Sequence, residues 1–124
     1  MKVVFLALMA FSFHVQAELP FDLNKFNESQ KNNEKILVLF HASWCPVCKN
    51  EDKIFKKLNE EEFFKLITVY RADFDKETQM KMNLNIKNPG SIILYSGNKE
   101  VSRVSGISTE IEMKRFVDNN LLKP

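Results

Sequence analysis

Two cysteines stand three residues apart in Trp44-Cys45-Pro46-Val47-Cys48, and the chain has no others. A pair at this spacing can close a small ring, exchange disulfides with a partner, or share a soft metal ion. In exchange, a thiolate attacks one sulfur of a disulfide and a mixed disulfide forms. A second thiol nearby then displaces the partner. With Cys45 at the start of a helix and Cys48 one turn inside it, as the flanking residues predict, Cys45 is the attacking thiol and Cys48 the resolving one. A purely structural disulfide here would close a very short loop and stabilise little. A structural zinc site needs four ligands, and in the expected mature chain only His41 remains as a histidine beside the two cysteines. Redox exchange is the leading reading. A soft-metal carrier, or an adaptor whose cysteines are idle, is the alternative.

The flanking sequence decides how such a pair would be held. Lys35 to His41 contains five consecutive apolar residues, Ile36-Leu37-Val38-Leu39-Phe40. A run like that, with no turn former, predicts a strand buried on both faces. Pro46 suits the first position of a helix, where its missing N–H costs nothing. Apolar Val47, Ile54, Phe55 and Leu58 then recur at helical spacing, with Lys49, Asp52, Lys53, Lys56 and Lys57 mainly opposite. Cys45 therefore falls at the N-cap of a helix and Cys48 one turn inside. Unpaired N–H groups and the positive end of the helix dipole face the first sulfur and favour a thiolate there.

Beyond this unit, Ile67 to Ala72 predicts a second strand. Asp73 to Asn85 predicts a short helix whose Met80, Met82 and Leu84 fill core. Glu60-Glu61-Glu62 reads as the solvated first turn of a helical segment over Phe63, Phe64 and Leu66. Asn88-Pro89-Gly90 is a break. Ser91 to Tyr95 and Glu100 to Val104 form a hairpin around Ser96-Gly97-Asn98-Lys99. Thr109 and Glu112 have capping-box spacing and open a last helix carrying Met113, Phe116, Val117 and Leu121. Pro20 to Glu34 is a helix or a loose segment. The order β-α-β-α-β-β-α predicts an α/β fold with a mixed central sheet and helices on both faces.

The first seventeen residues read as an address. A basic start at Lys2, an apolar stretch from Val3 to Phe13, and Val15-Gln16-Ala17 make the three-part pattern of a secretory signal cleaved after Ala17. The apolar run is too short for a membrane span, which needs about 20 residues. The expected mature domain is residues 18–124, without a membrane span, in a compartment where disulfides persist.

Composition narrows the classes further. The 124 residues suit one domain, and 27% charged with 44% apolar is ordinary for a globular chain. Lys and Arg number 18 against 16 Asp and Glu, a net charge of +2. That balance gives no electrostatic footprint for nucleic acid. No cofactor or metal-binding motif stands out, so none is expected.

The segment Phe40-His41-Ala42-Ser43-Trp44-Cys45-Pro46-Val47-Cys48-Lys49 resembles the active-site stretch of the thioredoxin superfamily. The resemblance runs from about Lys35 to Leu122. It is greatest to small exported thioredoxin-like proteins and to the C-terminal periplasmic domain of the membrane thiol reductase DsbD. It implies a thioredoxin fold, thiol–disulfide oxidoreductase activity, cysteine-containing protein substrates with a thiol electron donor or acceptor, and a monomer. It implies supporting roles for Trp44 and Pro46 beside the sulfurs, and a cis-proline loop facing the pair, which falls at Asn88-Pro89. Gly90 takes that position instead if Ser91 aligns with the family's threonine.

One departure concerns the buried acid that thioredoxins carry six residues before the first cysteine. Leu39 stands there. Glu51 and Asp52 are candidates for its role only by their place on the helix. His41, four residues before Cys45, either tunes the thiol or is a half-buried strand end with a satisfied hydrogen bond. No histidine lies between the cysteines, which favours a reducing or exchange role over a primary oxidant.

Overall fold

The computed structural model describes residues 18–123. The expected signal segment, residues 1–17, lies outside the described residues. Five strands form one sheet in the order β1 (Leu19–Pro20), β3 (Thr68–Asp73), β2 (Lys35–His41), β4 (Ser91–Ser96), β5 (Lys99–Ser105). β1 and β2 run parallel to β3, while β4 is antiparallel to both β2 and β5. The helices are α1 (Leu23–Lys31), α2 (Pro46–Leu58), α3 (Thr78–Leu84) and α4 (Glu110–Val117). This is the expected α/β thioredoxin fold, with α1 formed where a helix or a loose segment was expected and with a short strand, β1, added before it. β1 is too short to carry a periodic signal. α1 has a modest apolar stripe, and its N-cap Asp22 accepts from the Lys25 N–H at 2.9 Å.

β2 is the centre of the sheet, and its five apolar residues are fully buried. Side chains alternate across a strand, so the run feeds two cores. Leu37 and Leu39 join Ile54, Phe55 and Leu58 of α2 and Met113 and Val117 of α4. Ile36, Val38 and Phe40 join Phe26 of α1, Tyr70 and Tyr95 on the opposite face. In that second core the hydroxyls of Ser29 and Tyr70 share a 2.6 Å hydrogen bond, which satisfies both.

Three expectations on the periphery need correction. Met82 does not fill core; it is 76% exposed, and only Met80 and Leu84 of α3 lean on the second core. A seven-residue helix at the surface has no room for a wide apolar stripe. Leu66 is also exposed, because Glu62–Leu66 winds as a 3-10 helix rather than an α-helix. The tighter turn buries Phe64 and turns Leu66 outward. Finally, Val47 is part-exposed at the start of α2 rather than in the α2 core.

Candidate active site

The strand-to-helix junction is built as the residue types dictate. After β2 the chain turns, with the Cys45 N–H donating to the Ala42 carbonyl at 3.2 Å. Cys45 is the N-cap of α2 in extended geometry, and Pro46 takes the first helical position. The Cys45 Sγ accepts from the Cys48 N–H at 3.2 Å, so the sulfur itself caps the helix. Cys48 sits one turn on and is fully buried, with Cys45 only slightly less so. Ala42, the two cysteines and the edge of Phe74 make a small apolar cluster around the sulfurs.

Burial, followed by the hydrogen bond with Cys45, pushes the Cys48 thiol up to about 12. Cys48 therefore keeps its proton at neutral pH. We expect iodoacetamide at about pH 7.5 to label Cys45 of the reduced protein first, with Cys48 at least about tenfold slower. Mass mapping of labelled peptides reads this directly, and faster labelling of Cys48 would reverse the assigned roles.

Trp44 is 60% exposed beside the pair. Its indole N–H donates to both carboxylate oxygens of Asp75, at 3.0 and 3.3 Å, and its ring meets the edge of Phe74. The indole is therefore oriented, yet one face stays open to a partner. His41 proves to be a strand-end residue with its hydrogen bond satisfied: its Nε2 lies 3.0 Å from Asp52 Oδ2. Asp52 Oδ1 accepts from Arg71 at 2.6 Å, and Arg71 also donates to Glu18 at 2.9 Å. Asp52 is thus held in a surface ion-pair network on the flank of α2.

The loop expected to carry a cis-proline is different. No cis peptide bond occurs among the described residues, so Asn88–Pro89 is trans. Gly90 accounts for this. Its φ of +84° is what the third position of a type II turn requires, and Pro-Gly is the favoured central pair of such a turn. The Ser91 hydroxyl closes the turn on the Asn88 carbonyl at 2.7 Å, and the Gly90 N–H donates to the Phe40 carbonyl at 2.7 Å. Gly90 faces α2: a Cβ added there would stand 3.0 Å from Val47 Cγ1 and 3.3 Å from Glu51 Oε1.

Glu51 is the functional candidate that sequence reasoning leaves undecided. It is fully buried, and neither carboxyl oxygen has a hydrogen-bond partner. Burial, and then the charge of Asp52, raise it from 4.5 to about 8. A signal was present in the sequence. Cys48, Glu51, Ile54 and Leu58 follow one another at helical steps, which puts the carboxylate on the apolar stripe. Leu39 lies on the sheet face that α2 covers. The chain thus has an apolar residue on the strand and an acid on the facing helix.

A raised acid has a definite consequence for stability. An acid whose folded value exceeds its unfolded value stabilises most below the unfolded value, and that contribution is lost as pH rises through the folded value. For Glu51 the window runs from about 4.5 to about 8. We expect the melting temperature of the wild type to fall across it by the equivalent of a few kcal/mol, since each tenfold change in a carboxyl's proton affinity is worth about 1.4 kcal/mol. Glu51→Gln should flatten the profile. A wild-type profile that rises from about pH 5 to 9 would contradict the burial of Glu51.

A thioredoxin family model matches residues 19–119. Among curated relatives, thioredoxin-2 of Saccharomyces cerevisiae is 26% identical over 99 residues, covering 79% of this chain and 92% of the yeast protein. Thioredoxin of Ictalurus punctatus is 24% identical, covering 79% of this chain and 94% of the fish protein. A bifunctional thioredoxin reductase/thioredoxin of Mycobacterium leprae is 27% identical over 76% of this chain, which spans only 20% of that longer protein. The crystal structure of Trxlp from Edwardsiella tarda superposes with a TM-score of 0.76 at 24% identity, covering 80% of this chain and 96% of that one. The chain belongs to the thioredoxin family. With the cysteine pair intact at the head of α2, it is a thiol–disulfide oxidoreductase. Among the described residues no group of three or more His, Cys, Asp or Glu side chains is placed to share a metal ion. No helix among them is long and apolar enough to cross a membrane.

Proposed function

We propose that this chain is an exported thiol reductant, delivering electrons from Cys45 and Cys48 to disulfides of protein substrates. The observation that carries the direction is the Cys48 thiol, held up to about 12 by burial. A pair becomes a strong oxidant when its reduced form is stabilised. Here the second thiolate is disfavoured, and Pro46-Val47 brings no charge between the sulfurs to offset that. The disulfide form is relatively favoured, so the reduced pair gives up its electrons readily. Half-open Trp44 and part-exposed Val47 flank Cys45 and offer apolar surface to an unfolded or flexible protein segment.

Export rests on the signal pattern of residues 1–17. Cleavage after Ala17 would spare β1, whose Leu19 and Pro20 pair with Tyr70 and Arg71. It would also spare Glu18, which pairs with Arg71.

Two assays test the reading. With dithiothreitol as donor, the protein should speed insulin reduction more than it speeds oxidation of a reduced, unfolded protein; the reverse order would make it an oxidant. Expressed with its first seventeen residues in a bacterium, it should fractionate with the periplasm as a chain beginning at Glu18. Retention in the cytoplasm with an intact N-terminus would remove the export proposal and leave the redox one.

A further inference from the structure

Glu51 has no structural explanation. An unpartnered carboxyl in an apolar interface is costly, and leucine or methionine would fill the same space without that cost. Its position is specific. It lies one helical turn beyond Cys48 on the same buried face of α2, and residues three apart on a helix are neighbours. Gly90 lies over its Oε1: a Cβ added there would stand 3.3 Å from that oxygen and 3.0 Å from Val47 Cγ1, so glycine leaves room beside the carboxyl.

We propose that Glu51 is the proton acceptor for Cys48 in the resolving step, a role that rests on the thiol-exchange reading above. In that step the Cys48 S–H proton passes to the Glu51 carboxylate, directly or through one water. The Cys48 sulfur forms a bond to Cys45 Sγ, and the bond between Cys45 Sγ and the substrate sulfur breaks. The substrate leaves as a thiolate with the bonding electron pair. The substrate disulfide is reduced by two electrons and the cysteine pair is oxidised by two. Glu51 then returns its proton to solvent.

The groups around Glu51 leave it free for this role. On α2 its titratable neighbours are Cys48 and Asp52. Asp52 is tied to His41 of β2 and Arg71 of β3. The Asn88–Ser91 turn brings no charge. On α4, Lys114 pairs with Glu61 and Glu110, and Glu112 accepts from the Ser108 N–H. No cation among the described residues pairs with Glu51, so its protonation follows its burial.

An aromatic disulfide such as Ellman's reagent separates the two steps, because each step releases one coloured thiolate. Mixed in a stopped-flow instrument, the wild type should show a fast first phase and a slower second phase whose rate rises with pH around about 8. Glu51→Gln should keep the first phase within about twofold. Its second phase should slow about tenfold near pH 7 and about a hundredfold near pH 9, the lower range for loss of a general base. Glu51→Asp should recover part of the rate and the pH dependence. A second phase in Glu51→Gln with the wild-type rate and profile would overturn the proposal. Absence of the first phase in the wild type would overturn the exchange reading as well. Should Glu51→Gln fail to fold, the reduced wild type still answers. A protonated-carboxyl infrared band should persist to about pH 7 and fade through about 8. Loss of that band by about pH 6 would refute the role.

Discussion

Cys48→Ser is expected to accumulate covalent adducts with substrate proteins, joined through Cys45, while catalytic turnover drops to the blank rate. The geometry sets both halves. Cys45 is the sulfur at the helix N-terminus, capping α2 by accepting the Cys48 N–H. It can still attack when Cys48 is gone. Nothing else in the chain offers a thiol to release the product, because Cys45 and Cys48 are the only cysteines. Cys45→Ser should also reach the blank rate, but with few or no adducts, since the remaining thiol is buried and strongly protonated. Residues that act as a unit lose their effect together, so the double variant should be no slower than either single one. Non-reducing gels of protein captured from cells, with mass mapping of the linked cysteine, read the asymmetry. Equal adduct yields from both variants would mean that the roles of attacker and resolver are not fixed by position.

Leu39→Asp should cost more stability than any of the other substitutions. Leu39 is fully buried between α2 and the sheet, in contact with the core that holds Ile54, Phe55 and Leu58. Removing a buried leucine side chain costs about 2–5 kcal/mol before anything polar is added. A carboxyl put in its place lies on the face that α2 covers, where Glu51 is already buried without a partner. Two acids in one apolar interface cannot both ionise cheaply. We expect a loss of about 4 kcal/mol or more near pH 7, a large share of the roughly 5–15 kcal/mol typical of a domain. The melting temperature should fall by about 15–30 °C, at about 4–8 °C per kcal/mol for a domain of this size. The deficit should shrink toward pH 5, where the new acid is neutral. A variant that melts within about 3 °C of the wild type at neutral pH would show that Leu39 is not in the core.

Much of this was legible because the decisive signals are local. Five apolar residues in a row without a turn former read as a strand covered on both faces, and Pro46 after Cys45 suits the start of a helix. Those two facts place both sulfurs. The hairpin was legible from its turn residues, and α4 from its cap: the Glu112 N–H donates to Thr109 Oγ1 at 3.2 Å. What was not legible depended on contacts between distant segments. Pro89 drew attention because proline is the residue that tolerates a cis bond. The glycine beside it satisfies the turn with a trans bond and faces the helix. Glu51 could be named beside Asp52 only by its place on the helix, although its spacing from Cys48 and Leu58 put it on the apolar stripe. β1 is two residues long and exists only because β3 offers an edge to pair with. Met82 is exposed because α3 is too short to enclose it.

The most direct test of the central claim is the redox equilibrium of the Cys45–Cys48 pair. The protein is equilibrated in buffers of graded dithiothreitol or glutathione ratio, quenched with acid, alkylated and weighed. One reversible two-electron transition between dithiol and intramolecular disulfide is the expected result. Its midpoint should be more negative than about −230 mV, close to the value of about −270 mV known for thioredoxin and well below that of the strong oxidants at about −120 mV. A midpoint above about −180 mV would contradict the reducing role. Thiols that stay free at every ratio, or that pair only between chains, would contradict the claim that this pair is a redox centre at all.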